Sequence, residues 1–228
     1  MPKLNDLRLV WDLPTRLFHW LVVLSIIGSY VTAKLGTEWM PWHFRLGFFM
    51  IGLLIFRVIW GLIGPRHARF VNFIRGPTSI VAYLKGGIKS VGHNPLGAGM
   101  VVLMLLLLLV QVTTGLFSTD DIAYVGPYNP SVSHALAEKL TGFHHKNFNL
   151  ILAAVVLHLA AIIFYTFVKK EPLVPAMFHG HKPADYVSAH EAIPSSQLWK
   201  ALIVIAVAGG CVYWLMHAAP PPPASIDY

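Results

Sequence analysis

Five long apolar runs, separated by polar stretches rich in glycine and proline, organise this chain. They cover about Leu17–Lys34, Phe44–Leu62, Gly97–Phe117, Phe148–Val168 and Leu198–Met216. Each is long enough for an α-helix to cross the hydrocarbon of a bilayer. The first run lacks a small-residue cleavage site and is read as a retained span, not a cleaved signal. The intervening segments include GPRHARF and GPTS, where glycine and proline interrupt helical continuation. The end of the chain, Ala218–Tyr228, is proline-rich and predicts an extended tail. No long repeat and no nucleic-acid-binding module is visible.

Composition supports this pattern. Of the 228 residues, 56% are hydrophobic and 12% charged, against about 25% charged in a soluble domain. The chain therefore reads as a polytopic helical membrane protein of one domain. Its net charge of +7 reads as topology once the basic residues are placed. With the N-terminus in the cytoplasm, that side holds Lys3, Arg8, Arg16, Arg57, Arg66, Arg69, Arg75, Lys85, Lys89, Lys169, Lys170, Lys182 and Lys200. The other side keeps only Lys34, Arg45, Lys139 and Lys146. This asymmetry predicts an N-terminus inside and, after five spans, a C-terminus outside.

Histidines carry the chemistry. His144 and His158 lie fourteen residues apart on the fourth run. Fourteen steps of about 100° fall roughly 40° short of four turns. At about 3.5 residues per turn, as in a left-handed bundle, the mismatch vanishes. Both rings then share a face, roughly 21 Å apart along the axis. His145 is rotated roughly 100–140° away from His158 and is read as a flanking interfacial residue. By depth, His19 on the first span matches His158 near the cytoplasmic face. His43 on the second span matches His144 near the outer face. A lone histidine at a helix end is usually interfacial, but four intramembrane histidines at matched depths point to ligation. Two such pairs would each hold a haem by two axial histidines. The third span is leucine-rich without an internal histidine and is read as a wall of the site.

Haem needs room and countercharge. Gly47 lies four residues after His43 on its face, where a small residue lets a macrocycle approach. Ala154 and Ala161 flank His158; ordinary small-residue packing explains them equally well. Arg57, fourteen residues after His43, and Arg16, three before His19, are candidates to pair with haem propionates or to snorkel to the interface. His93 is a lesser propionate candidate. His67, His134, His179, His181, His190 and His217 lie in connections or at ends and are read as solvated or interfacial. The single Cys211 excludes an intramolecular disulfide, and no C-x-x-C-H motif offers covalent attachment. Any haem here is b-type.

Four stretches carry a family resemblance: WDLPTRLFHW at 11–20, RVIWGLIGPRHARF at 57–70, GHNPLGA at 92–98, and the pattern His144…Asn149…His158. Together they resemble the bacterial di-haem cytochromes b of the Ni/Fe-hydrogenase b-type subunit group, over roughly residues 8–180. The resemblance implies a four-helix bundle with two b haems, each bound by two histidines, at His19, His43, His144 and His158. It also divides the chain into a four-helix di-haem domain, 1–180, and an addition, 181–228, holding a connecting segment, the fifth helix and the proline-rich tail. One departure is His145, where the family often has glutamate.

These readings converge on an electron-transfer protein of the bacterial cytoplasmic membrane. Six-coordinate haems leave no open iron position. Electrons would pass between quinone in the lipid and a periplasmic c-type cytochrome or other redox subunit. The 117–143 connection, with the tail as a secondary candidate, is read as the docking face, with Tyr124 and Tyr128 on it. Two rivals remain. A stand-alone superoxide-to-quinone oxidoreductase would favour a positive outer face, and that face is close to neutral. A histidine-based proton transporter without haem would favour intramembrane carboxylates and an inverted repeat, neither of which is evident.

Overall fold

The computed structural model describes residues 7–74, 76–86 and 90–221. Arg75, Lys3 and Lys89, used above for charge bias, and the last seven residues of the tail lie outside the described residues. Among those described, five helices are long and apolar enough to cross a membrane. They are α1 (Leu13–Lys34), α2 (Met40–Ile63, preceded by a short 3₁₀ turn at Thr37–Trp39), α5 (Pro95–Phe117), α6 (His134–Phe167) and α8 (Leu198–His217). Between them lie α3 (Phe70–Phe73), α4 (Pro77–Leu84) and α7 (Leu173–His179), and two strands, β1 (Leu7–Leu9) and β2 (His181–Pro183). Leu24, Leu62, Val156 and Leu202 remain between 63% and 67% exposed. Such apolar surface on spanning helices is suited to lipid.

Two boundaries differ from the hydropathy reading. Helix α6 begins at His134, fourteen residues before the apolar run, so the connection read as 117–143 ends at Ser133. Its first turns, HALAEKLTGFHHKN, are polar yet good helix formers. At 34 residues the helix is about 51 Å long, longer than hydrocarbon requires. Ser133 starts it, its carbonyl accepting from Leu136 and Ala137. The second difference is the small antiparallel sheet, with Arg8 opposite Lys182, which the all-helical expectation did not contain.

The chain divides into two compact units. The first comprises Met1–Trp20, Phe56–Met104 and Ala154–Ile205; the second comprises Leu21–Ile55, Leu105–Ala153 and Ala206–Tyr228.

In the first unit a buried cluster of Val10, Trp11, Ala176 and Val187, with Val91 and Ala192 against it, forms around the sheet. Gly180 makes the connection possible. It caps α7 in the left-handed region at φ 88°, where glycine is favoured. Its carbonyl accepts from the Val10 and Trp11 amides, and a Cβ there would lie 2.6 Å from the Trp11 carbonyl oxygen. Lys182 is 3% exposed and donates to the Val91 carbonyl at 2.9 Å. Asp12, fully buried, caps α1: its carboxylate accepts from the Thr15 amide at 2.9 Å and the Thr15 hydroxyl at 2.8 Å. The same carboxylate accepts from the Trp60 indole at 3.0 Å.

In the second unit, Tyr30 stacks on Phe148 with ring centres 5.5 Å apart. The 118–133 connection is ordered by its own polar groups. Asp120 accepts from the amides of Ile122, Ala123 and Tyr124, and these bonds, Tyr124 foremost, hold its carboxyl below the usual range. The Tyr128 hydroxyl donates to the Leu215 carbonyl at 2.6 Å, anchoring the connection to α8.

Candidate functional site

The four singled-out histidines form two pairs, one within each unit. In the first unit the rings of His19 (α1) and His158 (α6) have centres 6.4 Å apart. In the second, His43 (α2) and His144 (α6) are 6.3 Å apart. A metal held by two opposed imidazole nitrogens at about 2.0–2.1 Å places the ring centres about 6.4 Å apart, allowing roughly 1.1 Å from nitrogen to centre. Both pairs fit that span, so the donor set suits a bis-histidine haem iron. His145 lies 6.2 Å from His144, a separation that follows from adjacency in one helix. Its side chain is exposed, and no ring from another helix faces it among the described residues.

The second pair is held by backbone carbonyls. The His43 Nδ1–H donates to the Ser29 carbonyl at 2.9 Å, and the His144 Nδ1–H donates to the Gln111 carbonyl at 3.0 Å. Donation from Nδ1 leaves Nε2 with the lone pair a metal needs. At His144 the Gln111 side-chain amide donates to Nε2 at 3.0 Å, which fits that tautomer but takes up the lone pair, so the amide must turn away for a metal to bind there. Asn147, 7% exposed, fixes the amide in turn, donating to Gln111 Oε1 and to the Leu107 carbonyl, both at 2.8 Å. Helix α5 is therefore more than the apolar wall expected of it. Gln111 and Asn147 are polar residues inside spans, a signal that alone could have marked them. The role of Ser29 has no such signal, because its carbonyl acts and not its side chain. A Cβ on Gly47, one turn after His43, would meet nothing within 4 Å, so the space beside it is open.

The first pair has different surroundings. His19 Nδ1 is buried without a partner, and its ring lies edge-on to Trp20 at 5.0 Å. Arg57 is 2% exposed and does not snorkel. Its guanidinium lies over Phe70 at 4.6 Å, near Phe73 and Phe18 at 5.9 and 6.0 Å, and donates to the Ala68 carbonyl at 3.1 Å. Arg16 donates to the Phe178 carbonyl, while its Nε is buried without a partner. His93 sits between Trp11 and Phe73, ring centres 4.6 and 4.5 Å away. Burial pushes its pKa down to about 3, with Arg57, His67, Lys182 and His158 adding to the effect. Its Nδ1 also lacks a partner. Arg16, His19 and His93 thus give the first unit buried ring or guanidinium nitrogens without partners. The described residues of the second unit hold no such orphan. Ala154, 6% exposed, packs one turn before His158.

Comparison with known proteins assigns the family. The family described as prokaryotic cytochrome b561 matches residues 10–180. The chain is 24% identical over 216 residues to a probable Ni/Fe-hydrogenase B-type cytochrome subunit of Rhizobium leguminosarum bv. viciae, covering 76% of this chain and 87% of that protein. It is 21% identical over 212 residues to a protein of the same description from Rhodobacter capsulatus, covering 76% of this chain and 80% of that one. The chain therefore belongs to the prokaryotic cytochrome b561 family, as a multi-pass, helical membrane protein that carries haem b and serves electron transfer.

Proposed function

We propose that this protein carries electrons through two b-type haems, one held by His19 and His158 and the other by His43 and His144. The observation that supports it most is the pair of ring separations, 6.4 and 6.3 Å, each suited to one shared iron. Bound haem would supply one-electron redox chemistry, and two histidines on each iron would leave no position for oxygen to bind. The chain's residues do the rest. Ser29 and Gln111 orient His43 and His144. Gly47 leaves space at the ring edge. Arg57, with His93 and Arg16, offers positive or hydrogen-donating groups to propionates of the haem at His19. Residues 1–180 form the di-haem domain in this reading, and 181–228 add the fifth helix and tail.

The charge bias supports a bacterial cytoplasmic membrane with the N-terminus inside. His43 and His144 then lie toward the periplasm and His19 and His158 toward the cytoplasm. Exchange would run between quinone in the lipid and a periplasmic redox partner, a c-type cytochrome or oxidoreductase subunit. The relatives' description as hydrogenase cytochrome subunits supports a partner of that kind. The 118–133 connection is the proposed docking face, with Ile122 93% exposed at its tip. Tyr128 is committed to Leu215, so Ile122 is the better cross-linking position.

A reduced-minus-oxidised spectrum with haem extraction tests the reading. It should show low-spin b haem at about two per chain. One haem per chain would remove a pair from the scheme. No haem would favour the proton-relay alternative. A photo-cross-linker at Ile122 should capture a periplasmic redox protein; capture only from the 64–92 connection would reverse the docking side.

A further inference from the structure

We propose, resting on the two-haem reading, that the sites are tuned apart by what surrounds their histidines, with the His43/His144 haem at the lower reduction potential. Two independent features point the same way.

The first is the carbonyl contact. His43 and His144 each donate Nδ1–H to a helix carbonyl, Ser29 on α1 and Gln111 on α5. A ring that donates this bond is a stronger electron donor to its metal, which favours the ferric state and lowers the potential. The contact is built the same way twice. Thr32, three residues after Ser29, donates its hydroxyl to the Ser29 carbonyl at 3.1 Å and to Gly28 at 2.8 Å. Thr114, three residues after Gln111, donates to the Gln111 carbonyl at 3.1 Å and to Val110 at 2.7 Å. Such back-bonding bends a helix and turns a carbonyl outward, here toward a ring on another helix. Ser29, Thr32, Gln111 and Thr114 are positioning residues.

The second feature is charge. His19 Nδ1 has no acceptor, and His158 makes no hydrogen bond among the described residues. Among the described residues, their unit holds two buried cations, Arg57, close to Phe18 next to His19, and Lys182, against one buried carboxylate, Asp12, which faces Arg57. A positive charge in a low-dielectric setting favours the ferrous state, which carries one positive charge fewer, and raises the potential. With both haems bound, an electron on the one held by His43 and His144 would pass downhill to the one held by His19 and His158, oxidising the first and reducing the second.

Potentiometric titration of the detergent-solubilised holoprotein, followed optically, tests this. In His158→Ala the remaining haem should titrate below the one remaining in His43→Ala. The expected gap is at least tenfold in the ferric/ferrous equilibrium, 59 mV for one electron. Arg57→Gln in the His43→Ala protein should lower the midpoint of its haem. Gly115→Ala places a Cβ 2.9 Å from His144 Cε1 and 3.2 Å from Nδ1. Pushing the ring off Gln111, it should raise the midpoint of the haem left in His158→Ala. If that variant loses its haem, Thr114→Val serves instead. It removes the hydroxyl that turns the Gln111 carbonyl outward and that itself lies 3.3 Å from His144 Nδ1, and should raise the midpoint. Equal or inverted midpoints in the two single-haem proteins, or no response to either set of substitutions, overturn the proposal. A wild-type protein with fewer than two haems overturns the underlying reading instead.

Discussion

The two histidine pairs share a ring separation, yet opposite means hold them. His43 and His144 rest on backbone carbonyls within a network of threonine, glutamine and asparagine. His19 and His158 lie in a unit where aromatic rings, a buried arginine and unpartnered nitrogens predominate. Helix spacing sets where a ligand falls. Neighbouring groups set how strongly it donates. If both pairs hold haem, as proposed, the two sites would differ in electronic character without differing in ligand type.

The largest effects should come from the ligands. His158→Ala should lose one haem and retain the other with a bis-histidine spectrum, and His144→Ala should do the reverse. Each variant should bind about half the wild-type haem. Haem quantitation with electron paramagnetic resonance checks this. Loss of both haems from either variant would break the comparison, because the pairs would then not be separable.

Much of this arrangement was legible in the sequence, for a physical reason. Spans announce themselves by apolar length, and an ionisable residue within one is conspicuous, so His19, His43, His144 and His158 stood out. Polar helix does not announce itself in hydropathy, which is why α6 began fourteen residues early. The pairing of β1 with β2 joins segments some 170 residues apart through backbone groups that any sequence possesses. The carbonyls of Ser29 and Gln111 were hidden for the same reason. Arg57 was visible, but its aromatic enclosure depends on Phe70 and Phe73 folding back, which spacing along α2 does not encode.

The next effect tests whether the units respond separately. Asp12→Ala removes the α1 cap and leaves the Trp60 indole N–H without its acceptor. Losing a cap costs about 0.5–2 kcal/mol, and a buried unsatisfied donor about 1–3 kcal/mol. A loss of about 2–4 kcal/mol is expected in thermal unfolding. The spectrum of the His19/His158 haem should be perturbed first. Equal perturbation of both haems would argue against local control.

A smaller effect is acid sensitivity. His93 has its folded pKa lowered to about 3, while the unfolded chain protonates near 6.5. Between those values the unfolded state binds the extra proton, so stability falls as pH falls. Asp120 and Glu191, both lowered in the folded state, act with the same sign at lower pH. His93→Phe isolates the histidine contribution. Its melting temperature should fall less than that of wild type between pH 7 and pH 5. An identical fall would mean that His93 finds a partner when protonated.

The smallest expected effect is the sharpest check on α6. His145 follows His144 directly and its ring is as close to His144 as that of His43, 6.2 against 6.3 Å. Distance alone does not separate the candidates. Their surroundings do: His144 is half-buried with Nδ1 on the Gln111 carbonyl, and His145 is exposed. His145→Ala should keep both haems and both midpoints, with stability within about 0.5 kcal/mol, as for an exposed position without partners. If His145→Ala instead lost the haem at His43 while His144→Ala kept it, the ligand would be His145. The Gln111 carbonyl would then hold a bystander, and the difference drawn between the two pairs would lose its cause.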